Sequence, residues 1–156
     1  MPALPGDSEH SVSLSQVIVT LSGVGTRMLE GLALALSEEG ASVEQWRILQ
    51  LVSQLEAPSM GDLAAASGLP NASLSRIVDA LEDNASVYRL PTPNDRRRIT
   101  VRLSDHGAGR LARMNTIVAA WESATCTLIG AENAQALAAA VDGTAERLGV
   151  HRVQPA

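Results

Sequence analysis

The stretch Val87-Tyr88-Arg89-Leu90-Pro91-Thr92-Pro93-Asn94-Asp95-Arg96-Arg97-Arg98-Ile99-Thr100-Val101-Arg102-Leu103 changes the period of the chain. Upstream of it apolar residues recur at three- and four-residue steps. Within it Val87 and Arg89, then Ile99, Val101 and Leu103, alternate with polar neighbours as strands do. Pro91 to Asp95 reads as a loop between the two runs, so the segment is a β-hairpin. It is also the charge centre of the molecule. Between Arg89 and Arg113 stand seven of the twelve basic residues against Asp95 and Asp105 alone, a formal +5 in a chain of net charge −5. A cationic hairpin on an acidic body suits a polyanion; a solvated charged turn is the competing reading.

Two short helices lead into the hairpin. Ser59 with Asp62 three positions on marks a helix start. The helix runs through Leu63, Ala64 and Ala66 and stops at Gly68, and Leu69-Pro70 makes the turn. From Asn71 to Asp83 a second helix has Leu74, Ile77, Val78 and Leu81 inside, with Asn71, Ser73, Ser75 and Arg76 on or near the other face. Two such helices joined by a tight turn form a helix-turn-helix, and the hairpin after them makes it a winged helix. Arg76 has the fork that fits guanine O6 and N7, and serines mostly bond phosphate. Asn71 is open to two readings, an adenine contact or a helix cap.

Outward from this lobe the chain is helical. Leu14, Val17, Ile18, Leu21, Val24, Met28 and Leu32 mark a long amphipathic helix, ended at Gly40. Ser42 and Gln45 have capping-box spacing ahead of Trp46, Leu49 and Val52. After Ser104, Leu111, Met114, Ile117, Val118, Trp121 and Leu128 mark another long helix, and an Ala-rich one follows from Glu132 to Leu148. With 46% apolar but only 2% aromatic residues, the core is aliphatic and alanine-rich, which favours helices.

Composition also narrows the function. Cys126 is the only cysteine, so no intramolecular disulfide framework exists and a reducing compartment is expected. The thiol reads as buried packing. Residues 1–10 have no basic or apolar leader character, and no apolar run approaches the roughly 18 residues of a membrane span. The expectation is a soluble, cytoplasmic protein without a membrane partner. His10, His106 and His151 have no metal-ligand spacing, so no metal or other cofactor is expected. No Gly-rich phosphate loop, nucleophile motif or clustered acid–base set points to an enzyme.

The run from Val87 to Gly107, with Arg89, then Asp95-Arg96-Arg97 six positions on, alternating apolar residues and Leu103-Ser104, resembles the wing of the multiple-antibiotic-resistance regulators, the MarR family of bacteria. Ser42-Val43-Glu44-Gln45-Trp46-Arg47-Ile48-Leu49, Asp62-Leu63-Ala64 and Leu81-Glu82 are similar to that family's second, third and fourth helices. Two positions differ. Ala85-Ser86-Val87 replaces the usual Gly-Leu-Val after the recognition helix, with Asn84 expected to take the left-handed cap conformation. Ala80 stands where the family often places an arginine.

The resemblance implies a mainly α fold with a small β-hairpin wing. Residues 1–40 would be an N-terminal dimerisation helix, 41–104 the winged helix-turn-helix DNA-binding lobe, and 105–156 the C-terminal dimerisation helices. It implies a homodimeric transcriptional regulator, most simply a repressor, on a pseudo-palindromic double-stranded operator. Asn71, Ser73, Ser75, Arg76, Arg89, Arg96, Arg97 and Arg98 would meet DNA, with Arg89 and Arg98 contacting phosphate or pairing with acids. Asp95 would pair with a neighbouring arginine and fix the hairpin tip. A small lipophilic or phenolic effector would bind between the dimer helices and the lobe, where Met28, Trp46, Met114 and Trp121 line a cleft or pack the core. The alternative is a winged-helix lobe turned to protein interaction, with weak or no operator binding.

Overall fold

The computed structural model describes residues 13–149 apart from Pro93 and Asn94, and no side chain from Thr92 to Arg98. His10 and His151 therefore lie outside the described residues, as do the side chains of Asp95, Arg96, Arg97 and Arg98.

The first helix, α1 (Leu14–Leu36), tightens into a 3-10 turn at Ser37–Glu39 and ends at Gly40, whose φ of +59° is left-handed. Only Leu32 and Leu36 of α1 are buried. The preceding turns leave Leu14, Ile18 and Val19 between 64% and 73% exposed. By length and composition Leu14–Glu39 is apolar enough to cross a membrane, with 6% of its most apolar window buried. One such helix does not set aside the sequence expectation, because helices of soluble proteins pass the same test of length and composition. Serines, threonines and glycines interrupt the run without lowering its mean hydropathy below that of a span. Arg27 and Glu30 pair at 3.2 Å within the helix.

The capping box expected at Ser42 is formed: Gln45 N–H donates to Ser42 Oγ and Ser42 N–H to Gln45 Oε1, both at 3.1 Å. It opens α2 (Val43–Gln54), whose Ile48 and Leu49 are fully buried. A second box joins Ser59 and Asp62 at the start of α3 (Met60–Ser67). Such caps contribute about 1 kcal/mol each. Gly68, with φ +67°, turns the chain between α3 and α4 (Asn71–Asp83). Leu63 of α3 and Leu74, Val78 and Leu81 of α4 interlock with the apolar side of α2.

The wing is an antiparallel pair, β1 (Val87–Thr92) and β2 (Asp95–Leu103), with Val87 opposite Leu103 and Arg89 opposite Val101. Its strands run further than the sequence reading allowed. Pro91 lies in β1 opposite Ile99 rather than in a loop, with a register irregularity between Pro91 and Thr92. A two-stranded ribbon has only edges, so a proline can sit with its missing N–H facing solvent, next to a bulge. Val101 N–H donates to Pro58 O at 2.8 Å and Ser59 bridges Thr100, which ties the wing base to the start of α3.

Ser104 caps α5 (Asp105–Ile129), accepting from Gly107 N–H at 2.8 Å. Gly107, Arg110, Leu111, Met114 and Val118 form its buried stripe. The last helix, α6 (Ala131–Leu148), buries no residue at all.

Candidate nucleic-acid interface

The outward face of α4 is polar because its apolar residues are committed to α2 and α3. Asn71, Ser73 and Arg76 are exposed and Ser75 is half-buried. Pro70, not Asn71, occupies the N-cap, and no side chain caps this helix. Asn71 stands one residue further in, where the first-turn amides point outward without intrahelical partners. The face therefore presents a carboxamide, hydroxyls, a guanidinium and free backbone N–H groups. That set bonds phosphate and base edges alike.

At the opposite end of α4 the helix is acidic, with Asp79, Glu82 and Asp83 against the single cation Arg76. The wing compensates. Half-buried Arg89 of β1 donates to Asp79 Oδ1 at 2.6 Å and also to Glu82. Those partners, the Asp79 hydrogen bond foremost, hold the guanidinium's pKa above its ordinary value. Of the two roles open to Arg89 in the sequence, pairing with acids is the one present here. It locks the wing base to α4 and offsets one of the two negative charges that Asp79 and Glu82 carry there.

The basic window is thus not one surface. Arg110 is buried, 7% exposed, within the fold. Arg113 grips Glu39 through Nε at 2.8 Å and Nη2 at 3.1 Å, and this pairing lowers the Glu39 pKa below its usual value. Arg102 is exposed on the hairpin, cross-strand from Tyr88. Burial, not charge, separates these roles.

The turn joining α4 to β1 departs from expectation. Asn84 has φ −92°, and the left-handed residue is Ala85, φ +57°. Ser86 N–H donates to Leu81 O at 2.8 Å and Ala85 N–H to Glu82 O at 2.9 Å, the bond pair of a Schellman cap. Asn84 serves the turn through its side chain instead, its Oδ1 accepting from the Ser86 N–H and hydroxyl. Holding those bonds keeps Asn84 right-handed and leaves the strained position to alanine.

The four residues expected around an effector cleft do not converge. Met114 is fully buried core. Trp46 is half-buried and donates its Nε1–H to Asn115 Oδ1 at 2.9 Å. Met28 and Trp121 do line one cleft of about 370 Å³ between α1, α5 and α6, with Thr125, Ile129, Leu137 and Val141. Cys126 lines it too and is exposed. This corrects the packing-thiol expectation: within this chain the cleft between α1, α5 and α6 leaves the thiol uncovered. Among the described residues no cluster of three His, Cys, Asp or Glu side chains has the arrangement of a metal site.

A helix-turn-helix, a wing tied to it by an ion pair, and long flanking helices define a winged helix-turn-helix protein. Residues 42–99 match the MarR family model, so the lobe carries the MarR pattern that its sequence resembles. The HTH-type transcriptional regulator FarR of Neisseria gonorrhoeae is 32% identical over 72 residues, 46% of this chain and 49% of FarR. The chain thus spans about half the length of that curated relative. The transcriptional repressor CouR, solved bound to a 23-mer DNA duplex, superposes with a TM-score of 0.78 at 24% identity, covering 92% of this chain and 99% of CouR. A MarR-family regulator from Rhodococcus sp. RHA1 is 26% identical with a TM-score of 0.74, over 86% of this chain and 96% of its own. The fold is that of the MarR winged-helix regulators.

Proposed function

We propose that this chain is a sequence-specific double-stranded DNA-binding transcriptional regulator that works as a homodimer on a pseudo-palindromic operator, as a repressor released by a small lipophilic or phenolic ligand. The observation that carries the reading is the outward face of α4, polar from Asn71 to Arg76, beside a hairpin whose Arg89 pairs with Asp79 and Glu82. CouR, of the same fold, has been solved on a DNA duplex. Arg76 would read guanine and Asn71 adenine, with Ser73 and Ser75 on phosphate. Arg96, Arg97 and Arg98 at the wing tip would reach the adjacent minor groove and backbone, with Asp95 fixing the tip.

Dimerisation is supported by what the single chain leaves uncovered. No residue of α6 is fully buried, with Ala134, Leu137 and Ala145 only half-buried, and α1 exposes an apolar stripe. A second copy covering α1, α5 and α6 would satisfy both and set two recognition helices about 34 Å apart, one turn of DNA. The effector would enter by the Met28–Trp121 cleft. Such a regulator works where the chromosome is, in the cytoplasm.

The test is fluorescence anisotropy of the purified protein on the intergenic duplex beside its own gene and on a scrambled duplex, across a salt series, with mass by light scattering. A dimer with tighter binding to the intergenic duplex, weakening as salt rises, is expected. A monomer, or equal and negligible binding to both duplexes in dilute salt, overturns the proposal in favour of a protein-interaction module.

A further inference from the structure

Arg110 is a guanidinium inside the fold whose hydrogen bonds go to neutral oxygens, while the nearby Glu39 carboxylate, which feels its charge, is bonded to Arg113 instead. Its Nη1 donates to Ser86 Oγ at 3.2 Å, and its Nη2 to Glu39 O at 2.9 Å and Gly40 O at 3.1 Å. The carbonyls close the 3-10 turn after α1, where a helix end carries partial negative charge. Ser86 is fully buried in the cap at the end of α4. One side chain of α5 therefore ties together the end of α1, the end of α4 and the helix that carries it.

Two further contacts press the same joint. Ser104 Oγ donates to Ala85 O at 2.6 Å, and Ser104 N–H to Ser86 O at 3.1 Å. Gly107 lies so close that a Cβ there would overlap the Ser86 carbonyl. The first turns of α5 thus clasp the turn at which α4 stops. A buried cation costs free energy that an apolar side chain of similar size would not. Apolar packing would fill the space but supply no fork, and the fork is what fixes direction.

We propose that Arg110 is a positioning residue: it sets the angle of the recognition helix α4 against the scaffold helix α5, and so the geometry with which α4 meets a groove. The consequence for operator choice rests on the DNA-binding reading above; the helix-angle claim does not. It is tested in the full chain with Cys126→Ser and two spin labels, at Asp83→Cys on α4 and Ala119→Cys on α5, diluted with unlabelled protein so that only distances within one chain are read. Arg110→Gln is expected to broaden or shift the α4–α5 distance distribution, with Arg110→Lys between it and the parent and Ser86→Ala changing it in the same direction. On DNA, Arg110→Gln is expected to lower affinity for the preferred duplex about tenfold while leaving scrambled duplex nearly unchanged.

A lowered melting temperature with an unaltered distance distribution would make Arg110 a stabilising residue only and overturn the proposal. So would equal losses on both duplexes. If the parent binds no duplex, the regulator reading fails, while the distance measurement still decides the role of Arg110. If Arg110→Gln does not fold, Arg110→Lys and Ser86→Ala carry the same distance test.

Discussion

Replacing Ala85 by glycine removes a methyl group and is expected to stabilise the protein, while the same change one residue earlier is expected to weaken it. Ala85 is exposed and has φ +57°, so its Cβ contributes strain and little packing. The left-handed conformation costs an L-residue about 1–2 kcal/mol. Glycine removes that cost but loses about 0.4–1 kcal/mol through its freer unfolded chain. Taking the middle of each range, about 1.5 less about 0.7, leaves a net gain of about 0.8 kcal/mol, and at about 2–4 °C per kcal/mol for a chain of this size the melting temperature should rise about 2–3 °C. Asn84, at φ −92°, relieves no strain on becoming glycine and loses the Oδ1 that accepts from the Ser86 N–H and hydroxyl. That loss should cost about 1–3 kcal/mol because it leaves the buried Ser86 hydroxyl without its acceptor, while the Ser86 N–H keeps Leu81 O. The assay is thermal unfolding by circular dichroism at one fixed protein concentration, since dimerisation makes the midpoint concentration-dependent. Opposite signs at the two positions are the expected result. If Asn84→Gly stabilises and Ala85→Gly does not, the left-handed residue is Asn84, and the joint between α4 and the wing is wrongly described.

Three other perturbations probe the interface and its supports. Arg76→Ala should lose about 1–3 kcal/mol on the preferred duplex and much less on scrambled DNA, read by anisotropy; equal losses would assign Arg76 to phosphate. Arg89→Ala should weaken binding to every duplex, because Asp79 and Glu82 are left uncompensated on α4. Its thermal cost should stay below about 1 kcal/mol, as expected of a partly exposed pair; unchanged binding on both duplexes would count against the wing's electrostatic role. The Glu39–Arg113 pair should act in acid. Arg113 holds the Glu39 carboxyl below its ordinary value, so the pair's contribution is present above that ordinary value and is lost as pH falls through the lower folded-state pKa. Urea midpoints of the parent and of Arg113→Ala should differ near neutrality and converge in acid as Glu39 protonates; a gap that stays constant through the whole acid range would refute the assignment.

How much of this was legible in the sequence depends on which physical force decides each feature. Helix starts at Ser42 and Ser59 were readable because capping is local: the residues that satisfy the first amides lie three positions apart. The hairpin was readable from its alternation, but not its length, because whether Pro91 joins a strand depends on β2 being its only neighbour. Charge was the poorest guide. Arg89, Arg110 and Arg113 look alike in the basic window, yet one pairs with the acids of α4, one is buried and one pairs with Glu39. A local signal for Arg110 did exist. It falls three residues after Gly107 and four before Met114, within the stripe that Leu111 and Val118 continue, so helical periodicity alone places a cation on the inward face. The sequence does not disclose the acceptors awaiting it, since Ser86 and the carbonyls of Glu39 and Gly40 lie 24, 71 and 70 residues away. An arginine on an apolar stripe therefore marks a place where distant chain ends offer oxygen atoms. Here those ends belong to the helix that would read DNA and to the helix that would join two copies.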